Sequence, residues 1–146
     1  MSTLKIINAS GILMGRMASY VAEELLKGEK IAIINAGECI ISGDKRIVFD
    51  KYLHRRHRSS IVNPARHGPF FPRRPEGIIK RAVRGMLPHK KAKGRDAMKR
   101  LRIYIGVPAE LEGKPVEELD IKDVNTLKIP KYIKLKELST MLGANI

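Results

Sequence analysis

The chain of 146 residues contains a single cysteine, no tryptophan and no long apolar run. Cys39 alone excludes an intramolecular disulfide and a zinc site of several thiolates, so a reducing compartment such as the cytoplasm is expected. No apolar run approaches the roughly 20 residues of a membrane-spanning helix, and residues 1–15 lack the apolar core of a signal peptide. We therefore expect a soluble protein without a membrane partner, and the length predicts a single domain, 1–146.

Acidic residues are scarce in the middle of the chain. Residues 51–102 hold 17 lysines and arginines but only Glu76 and Asp96, whereas residues 1–50 are neutral and residues 103–146 carry a net charge of −1. The net charge of +14 therefore comes from this segment. Such a concentration favours a polyanionic partner that carries phosphates, and a solvated basic face is the alternative. Because so few carboxylates are present, no acid–base pair and hence no catalytic residue is predicted.

The hydrophobic pattern of the first third predicts the start of an α/β sheet. Residues 4–8 and 30–35 have the composition of short strands. Between them, apolar residues recur at helical spacing over 14–25, and Gly28 is expected to end that helix. A strand–helix–strand unit favours a parallel pair with a right-handed crossover. Residues 39–42 then form a short strand, with Cys39 as a core residue, that either pairs antiparallel with the preceding strand or continues past a bend.

A second helix is expected over residues 43–57. Ser42 is its predicted N-cap, and Ile47, Val48 and Tyr52 are expected to face the core. Three arginines follow at its C-terminal end: Arg55, Arg56 and Arg58. They are suited both to phosphate contact and to a favourable interaction with the helix dipole, and the sequence leaves both interpretations open.

Prolines and a glycine remove all periodicity from residues 59–75 and predict a long basic loop. An irregular loop of this length within a compact domain is usually functional or disordered alone. Phe70 and Phe71 are expected to anchor the loop to the body, and stacking on unpaired bases is the alternative. The basic side chains of the loop are candidate phosphate ligands: Arg66, His67, Arg73 and Arg74.

Pro75 and Pro88 bracket a predicted helix over residues 76–87. Its apolar residues share one face at about 100° per residue: Ile78, Ile79, Ala82, Val83 and Met86. The opposite face is cationic and consists of Lys80, Arg81 and Arg84. One face is thus expected to pack on the core while the other meets a ligand. Further basic residues extend the positive surface: His89, Lys90, Lys91, Lys93 and Arg95.

The remaining residues predict short elements and no further basic surface. A short helix near 97–101 is expected to precede a strand at 102–105. Residues 109–146 are ordinary in composition and are predicted to form a C-terminal extension packed on the body, in which Leu119 and Ile121 contribute to packing. Helical spacing of Leu135, Leu138, Met141 and Leu142, with Gly143 as the stop, predicts a final helix that docks on the body or on a neighbouring protein.

Two motifs for small ligands or metals are weak. Residues 11–16 follow a strand and begin a helix, but they lack the spacing and the final Lys-Ser/Thr of a Walker loop. Arg16 and the free amides of this helix start would instead suit one backbone phosphate of a nucleic acid. His54 and His57 have a spacing that suits a metal, but the neighbouring arginines disfavour a divalent cation. No metal, cofactor or small-molecule substrate is therefore predicted.

Among nucleic acids, the sequence favours RNA. A DNA-packaging protein would share the charge, but the chain has no repeated basic module and no helix-turn-helix spacing. An irregular arginine-rich loop suits folded RNA better than a uniform duplex. A phosphate-handling enzyme is a further alternative, and it would require tight nucleotide binding.

Three motifs carry a family resemblance: Gly15-Arg16-Met17-Ala18-Ser19, the run from Asn35-Ala36-Gly37-Glu38 through Ser42-Gly43, and above all Arg84-Gly85-Met86-Leu87-Pro88-His89-Lys90. Over about residues 4–108, the chain resembles the large-subunit ribosomal protein thirteen family in its archaeal and eukaryotic-like form, whereas the last forty residues match less distinctively. The resemblance implies a three-layer α/β/α domain with a small mostly parallel sheet, a basic loop and helical extensions. It also implies a structural and assembly role in the large subunit of the cytoplasmic ribosome, with no catalysis.

The partner that the resemblance implies is large-subunit ribosomal RNA. Neighbouring large-subunit proteins are expected as further partners, and the C-terminal helix is the candidate contact if it does not dock on the body. Residues 84–90 match the signature of the family, and the other RNA-binding candidates follow from charge and helical phase. Together the candidates are Arg16, Arg55, Arg56, Arg58, Arg66, His67, Arg73, Arg74, Lys80, Arg81, Arg84, His89, Lys90, Lys91, Lys93 and Arg95.

Overall fold

The computed structural model describes residues 3–120 and 124–146 of the chain. In chain order, its strands and helices are β1 (Leu4–Asn8), α1 (Met14–Lys27), β2 (Lys30–Ile34), β3 (Ile40–Ser42), α2 (Lys45–Arg56), α3 (Pro75–Met86), α4 (Ala92–Lys99), β4 (Leu101–Ile103), β5 (Tyr132–Lys134) and α5 (Leu135–Met141). Short 3-10 helices lie at Ala36–Glu38, Ala109–Leu111 and Val124–Thr126. None of the helices within the described ranges is both long enough and apolar enough to cross a membrane.

The central sheet is parallel and has the strand order β1-β2-β4. Leu4 lies opposite Lys30 in the first pair, and Ile31 lies opposite Leu101 in the second. The predicted parallel pair joined by a helix is confirmed, because α1 connects β1 to β2. β4 pairs with the other edge of β2. In the chain, α2, the loop after it and α3 lie between β2 and β4, so their basic residues are outside the sheet.

α1 forms the first layer over this sheet through its face of apolar residues. Met17, Val21 and Leu25 are fully buried, whereas Met14 at the start of the helix is half-buried. Gly28 ends the helix with a φ of 101°, a left-handed conformation that glycine adopts without steric penalty. The predicted helix and its stop are therefore confirmed.

Alternation along the strands buries both faces of the sheet. Ile7 and Ile33 belong to the large core cluster that also contains residues of α1, α3 and α5. On the opposite face, Ile6 and Ile34 pack with Leu111 of a 3-10 helix. The sheet thus lies between two covering layers, and the predicted three-layer α/β/α class is confirmed.

Of the two arrangements that the sequence left open for β3, pairing with the preceding strand is wrong, and continuation past a bend is confirmed. The chain bends through the 3-10 helix at Ala36–Glu38, and β3 then pairs antiparallel with β5 in a separate sheet. Ile41 lies opposite Ile133, and Ser42 lies opposite Tyr132. The partner strand is about ninety residues further along the chain, and no local pattern indicates such a pairing.

α2 begins later than predicted, and fewer of its residues pack against the body. The N-cap is Asp44, whose carboxylate accepts a hydrogen bond of 3.0 Å from the Arg46 amide, so the predicted cap at Ser42 is wrong. Val48 is buried, but Ile47 is 70% exposed, which contradicts its predicted place in the core. Neighbouring residues on a helix lie about 100° apart, and only the side that contains Val48 and Tyr52 meets the body.

α3 has the predicted helical phase apart from its last apolar residue. Ile78, Ile79 and Val83 are buried, whereas Met86 is 45% exposed, so its predicted core position is wrong. Leu87 has extended backbone, caps the helix and is itself buried. The chain leaves the helix at this point, and Leu87 occupies the core instead of Met86.

The elements after α3 differ from prediction mainly in their bounds. α4 extends over Ala92–Lys99, earlier than the short helix predicted, and Leu101 lies in β4. In α5, Leu135 and Leu138 are fully buried in the main cluster, whereas Met141 of the same apolar stripe is 43% exposed. Leu119 is partly buried against the core, and Ile121 lies outside the described residues.

Candidate nucleic-acid interface

Acidic side chains of the flanking thirds neutralise lysines, whereas most cations of residues 51–102, the basic segment, have no such partner. The ion pairs outside this segment are Lys5–Glu24, Lys27–Glu23, Lys27–Glu24, Lys45–Glu137, Lys131–Asp44 and Lys134–Glu38. Within the described residues of the basic segment, only Arg74 and Lys99 are ion-paired, at 2.9 Å from Glu76 and 3.6 Å from Asp96. The remaining positive charge of the basic segment is therefore not neutralised by acidic side chains of the described residues.

Hydrogen bonds tie several acidic side chains into the body, away from the basic segment. The Tyr20 hydroxyl donates to Glu117 at 2.6 Å, and this hydrogen bond is the main reason why the pKa of Tyr20 rises to about 12. Hydrogen bonds from Lys27 and then Lys5 lower the pKa of the buried Glu24. These carboxylates stabilise the contact of α1 with its surroundings and do not offset the charge of the basic segment.

α3 holds its cations outward because its other side is packed. Pro75 occupies the first turn, where its missing N–H removes no helical hydrogen bond. Ile79 is fully buried on the core side, whereas Lys80, Arg81 and Arg84 are exposed. Within the described ranges, neither Lys80 nor Arg84 makes an ion pair or a side-chain hydrogen bond.

Two arginines seat the loop of residues 57–74 on α2 and α3. Arg56 Nη1 donates to the Phe71 carbonyl at 2.7 Å, and Arg81 Nη2 donates to the Phe70 carbonyl at 2.6 Å. The Arg81 guanidinium also lies 5.9 Å from the centroid of the Phe71 ring, a cation–π distance. Phe71 is half-buried and anchors the loop, whereas Phe70 is 54% exposed. Two predicted RNA ligands, Arg56 and Arg81, therefore also hold the loop.

A glycine allows the loop to approach the backbone of α3. A Cβ atom at Gly77 would lie 2.6 Å from the Cβ of Pro72, closer than such atoms can approach. The absence of a side chain at Gly77 thus lets the proline ring rest directly on the helix. This contact brings the end of the loop beside the exposed cations of α3.

The turn between α3 and α4 is fixed by a second glycine. Gly94 is buried in α4, and a Cβ there would overlap the carbonyl group of Pro88 and lie 2.8 Å from the His89 backbone nitrogen. The Lys91 amide donates to the Pro88 carbonyl at 2.9 Å and closes the turn. The close contact holds His89 half-buried and leaves Lys90 and Lys91 exposed.

A cavity of about 360 Å³ lies between α2, α3 and the loop. It gathers five of the predicted RNA-binding residues, which come from three separate parts of the sequence: Arg55, Arg56, Arg81, Arg84 and His89. The Arg55 guanidinium lies 5.6 Å from the centroid of the Tyr52 ring. Arg56 Nε is buried and has no hydrogen-bond partner among residues 3–120 and 124–146. Tertiary structure thus converts dispersed basic residues into one cationic site.

Arg16 lies apart from this cavity, at the start of α1. It is exposed and lines a second depression together with Lys51. No side chain of the described residues caps the first turn of α1, so its amides are available to an anion. Lys51 was not among the predicted residues.

The other predicted residues are distributed over the exposed loop, the turn and α4: Arg58, Arg66, His67, Arg73, Arg74, Lys90, Lys91, Lys93 and Arg95. None of these nine residues is among the described residues that line the cavity. Near the loop tip, the amides of Arg66 and His67 both donate to the Asn63 carbonyl, at 3.1 Å and 3.0 Å. This turn directs both side chains to solvent.

The described residues also offer no alternative centre for metal or thiol chemistry. No group of three or more His, Cys, Asp or Glu side chains in residues 3–120 and 124–146 is arranged to hold a metal. Cys39 is fully buried, as predicted, and burial raises the pKa of its thiol to about 12. The thiol therefore stays protonated and unreactive at neutral pH.

Comparison with known proteins identifies the family. The family model described as Ribosomal protein L13 matches residues 2–110. The chain belongs to the ribosomal protein L13 family. Proteins named large ribosomal subunit protein uL13 from Archaeoglobus fulgidus, Methanosphaera stadtmanae and Methanocaldococcus jannaschii are 45%, 47% and 44% identical to it. The alignments cover 94%, 95% and 97% of this chain and 86%, 96% and 98% of those proteins.

The L13 match confirms the resemblance and extends it. The family model covers the whole basic segment, including the motif at the end of α3 and in the turn that follows. The alignments to the archaeal relatives cover nearly the full chain, although the sequence motifs of the last forty residues are less distinctive.

Sequence reasoning missed three residues that shape this surface of the L13 chain. Lys51 was missed because it lies on α2, and the depression that it lines forms only when α1 and β3 pack next to α2. Gly77 and Gly94 carry a detectable signal, since a glycine inside a predicted helix weakens that helix and often reports a close approach.

Proposed function

We propose that the basic segment binds large-subunit ribosomal RNA through α3, the loop before it and the turn after it, and that this binding stabilises the folded RNA during subunit assembly. As a member of this family, the chain is a structural component of the large subunit of the cytoplasmic ribosome, acts in translation and is not an enzyme. The observation that carries the finer proposal is the unneutralised charge of α3 and its neighbours.

The energetic argument concerns phosphates. Each exposed cation that contacts a phosphate releases a condensed counterion, so binding depends steeply on salt. Lys80 and Arg84 are exposed and unpaired within the described residues, and the packed side of α3 keeps both directed outward. Guanidinium groups also bind phosphate in a bidentate manner and stack on exposed bases.

Neighbouring large-subunit proteins are proposed as further partners. The apolar residues Leu135 and Leu138 of α5 are already buried in the core. A protein neighbour that contacts α5 would therefore meet its outer side, where Lys136, Glu137 and Met141 are exposed.

A double charge reversal, Lys80→Glu with Arg84→Glu, tests the RNA proposal. Arg81 is left unchanged because its hydrogen bond to the Phe70 carbonyl holds the loop. Loss of two phosphate contacts should reduce the slope of log affinity against log salt by about 2 and weaken binding roughly 60-fold at 0.1 M salt. The measurement is filter binding of the full chain to purified large-subunit ribosomal RNA at several salt concentrations.

The matched control is Lys114→Glu with Lys128→Glu, which makes the same change in net charge at exposed positions outside the basic segment. It should bind as the wild type does, apart from a small long-range effect. An equal loss of RNA affinity in both variants would show that binding depends on net charge alone. An unchanged slope of log affinity against log salt in the α3 variant would show that α3 is not part of the interface. Equal affinity for duplex DNA at matched salt would contradict the preference for RNA.

A further inference from the structure

We propose that the cavity between α2, α3 and the loop receives one unstacked nucleobase of ribosomal RNA, while the arginines around it bind the adjoining phosphates. This inference rests on the proposed function and specifies how one part of the interface binds. It concerns a single nucleotide at a defined place, in contrast to a general contact with the RNA backbone.

The walls of the cavity suit the flat apolar faces of a base. Ile78 and Ala82 of α3 line one side, and Leu142 after α5 contributes to the lining. The rings of Tyr52 and Phe71 are also part of the lining. Its volume of about 360 Å³ lies near the lower end of the range for small-ligand pockets, which fits one nucleotide and not a folded segment of protein.

The charge around the cavity identifies the ligand as an anion. Four arginines and a histidine contribute to the lining, and no acidic side chain is among its lining residues, all of which belong to the described ranges. An aromatic side chain from a protein partner would fill the apolar part but would leave these guanidinium groups without counterions. A nucleotide supplies both the apolar ring and the phosphate.

One buried donor points to a ligand more directly. Arg56 Nη1 donates to the Phe71 carbonyl, but Arg56 Nε is buried and has no acceptor in the part of the chain that the structure describes. Buried polar groups without partners are rare in folded proteins and costly. A base offers carbonyl and ring-nitrogen acceptors on its edge, and one of these would satisfy the Nε–H group.

The base must be unpaired. Bases within a duplex are stacked, and their faces are inaccessible to a cavity in a protein, whereas bulged or loop nucleotides can be turned outward. The proposal therefore predicts that the chain binds an RNA with a bulged base more tightly than the same RNA without it.

The test uses two RNAs with the full chain: a 20-base-pair duplex and the same duplex with one bulged 2-aminopurine. The wild type should bind the bulged RNA roughly tenfold more tightly at fixed salt, with a change in 2-aminopurine fluorescence on binding. Comparison of these two RNAs tests the proposal without any variant.

Gly85→Leu blocks the cavity without changing any charge. Gly85 lines the cavity, its φ lies outside the left-handed region, and an added Cβ meets nothing within 4 Å. Leucine is also the better helix former, so the variant should fold. It should lose the preference for the bulged RNA and bind the plain duplex within about twofold of the wild type. Ala109→Leu adds the same side chain to an exposed 3-10 helix position in the layer on the other face of the sheet and should keep the preference.

The outcomes separate the two proposals. Equal affinity of the wild type for both RNAs would overturn the base-binding cavity and leave the proposed function intact. Absence of salt-dependent binding to either RNA would overturn the proposed function as well. A preference that survives in Gly85→Leu would place the bulged base elsewhere on the surface and would also overturn the assignment.

Discussion

Replacement of Gly94 by alanine is expected to destabilise the protein, although alanine is the better helix former. Gly94 lies inside α4, where an exposed Gly→Ala change would normally stabilise by about 0.5–1 kcal/mol. Here the added Cβ would overlap the Pro88 carbonyl group and lie 2.8 Å from the His89 nitrogen. That is about 0.7 Å short of the roughly 3.5 Å at which non-bonded heavy atoms attract one another.

The magnitude follows from these opposing terms. The contact is with backbone atoms, which cannot rotate away, so α4 or the turn must shift. Overpacking of this kind costs about 1–3 kcal/mol, and the gain in helix propensity offsets part of that cost. We expect a net loss of about 1–2 kcal/mol, or a fall in Tm of roughly 3–8 °C for a chain of this size. The displaced turn should also weaken RNA binding through Lys90 and Lys91.

Gly85→Ala is the matched comparison for Gly94→Ala. Gly85 also lies inside a helix, but an added Cβ there meets nothing within 4 Å. Gly85→Ala should therefore stabilise the protein by about 0.5–1 kcal/mol. Thermal and urea unfolding followed by circular dichroism measure both variants. If Gly94→Ala unfolds at or above the wild-type temperature, the close contact between α4 and the turn does not exist as described.

Three further predictions concern the core, an ion-linked tyrosine and the thiol. Ile79→Asp puts an unpaired charge at a fully buried position and should lower the free energy of unfolding by at least about 4 kcal/mol; an unchanged melting curve would remove Ile79 from the core. The hydrogen bond to Glu117 raises the pKa of Tyr20 from 10.0 to about 12, so its stabilising effect is complete below pH 10 and is lost as the pH rises to about 12. Urea unfolding should therefore show a difference between wild type and Tyr20→Phe that shrinks over this window, and a constant difference would contradict the linkage. Cys39, with a pKa of about 12, should resist iodoacetamide at pH 8 until the protein is unfolded, as mass spectrometry would detect; rapid labelling of the native protein would show that the thiol is accessible.

The elements predicted well are those whose signal is contained within one segment. α1 carries its stripe, its stop at Gly28 and a strand on either side, so the parallel pair of β1 and β2 could be predicted. The packed and cationic sides of α3 follow from the 3.6-residue period alone. The error at Met86 arose at a helix end, where the apolar pattern does not show which residues still meet the body. The error at Ile47 arose because only the side of α2 that contains Val48 and Tyr52 meets the body.

The candidate interface was predicted as a set of residues but not as an arrangement. Charge counts locate the basic segment because charge is a property of composition. They do not reveal that Arg81 holds the loop through the Phe70 carbonyl. They also do not reveal that Arg55 and His89 line the same cavity.

By itself, the sequence determined the charge of the middle third, the first strand–helix–strand unit, the helical phase of α3 and the family. Tertiary structure alone decided the pairing of β3 with β5, the close contact at Gly94 and the cavity that brings distant arginines together. The physical reason is the range of the interactions. Helical periodicity and composition are local, whereas strand partners and cavities depend on which distant surfaces bury one another when the whole chain folds.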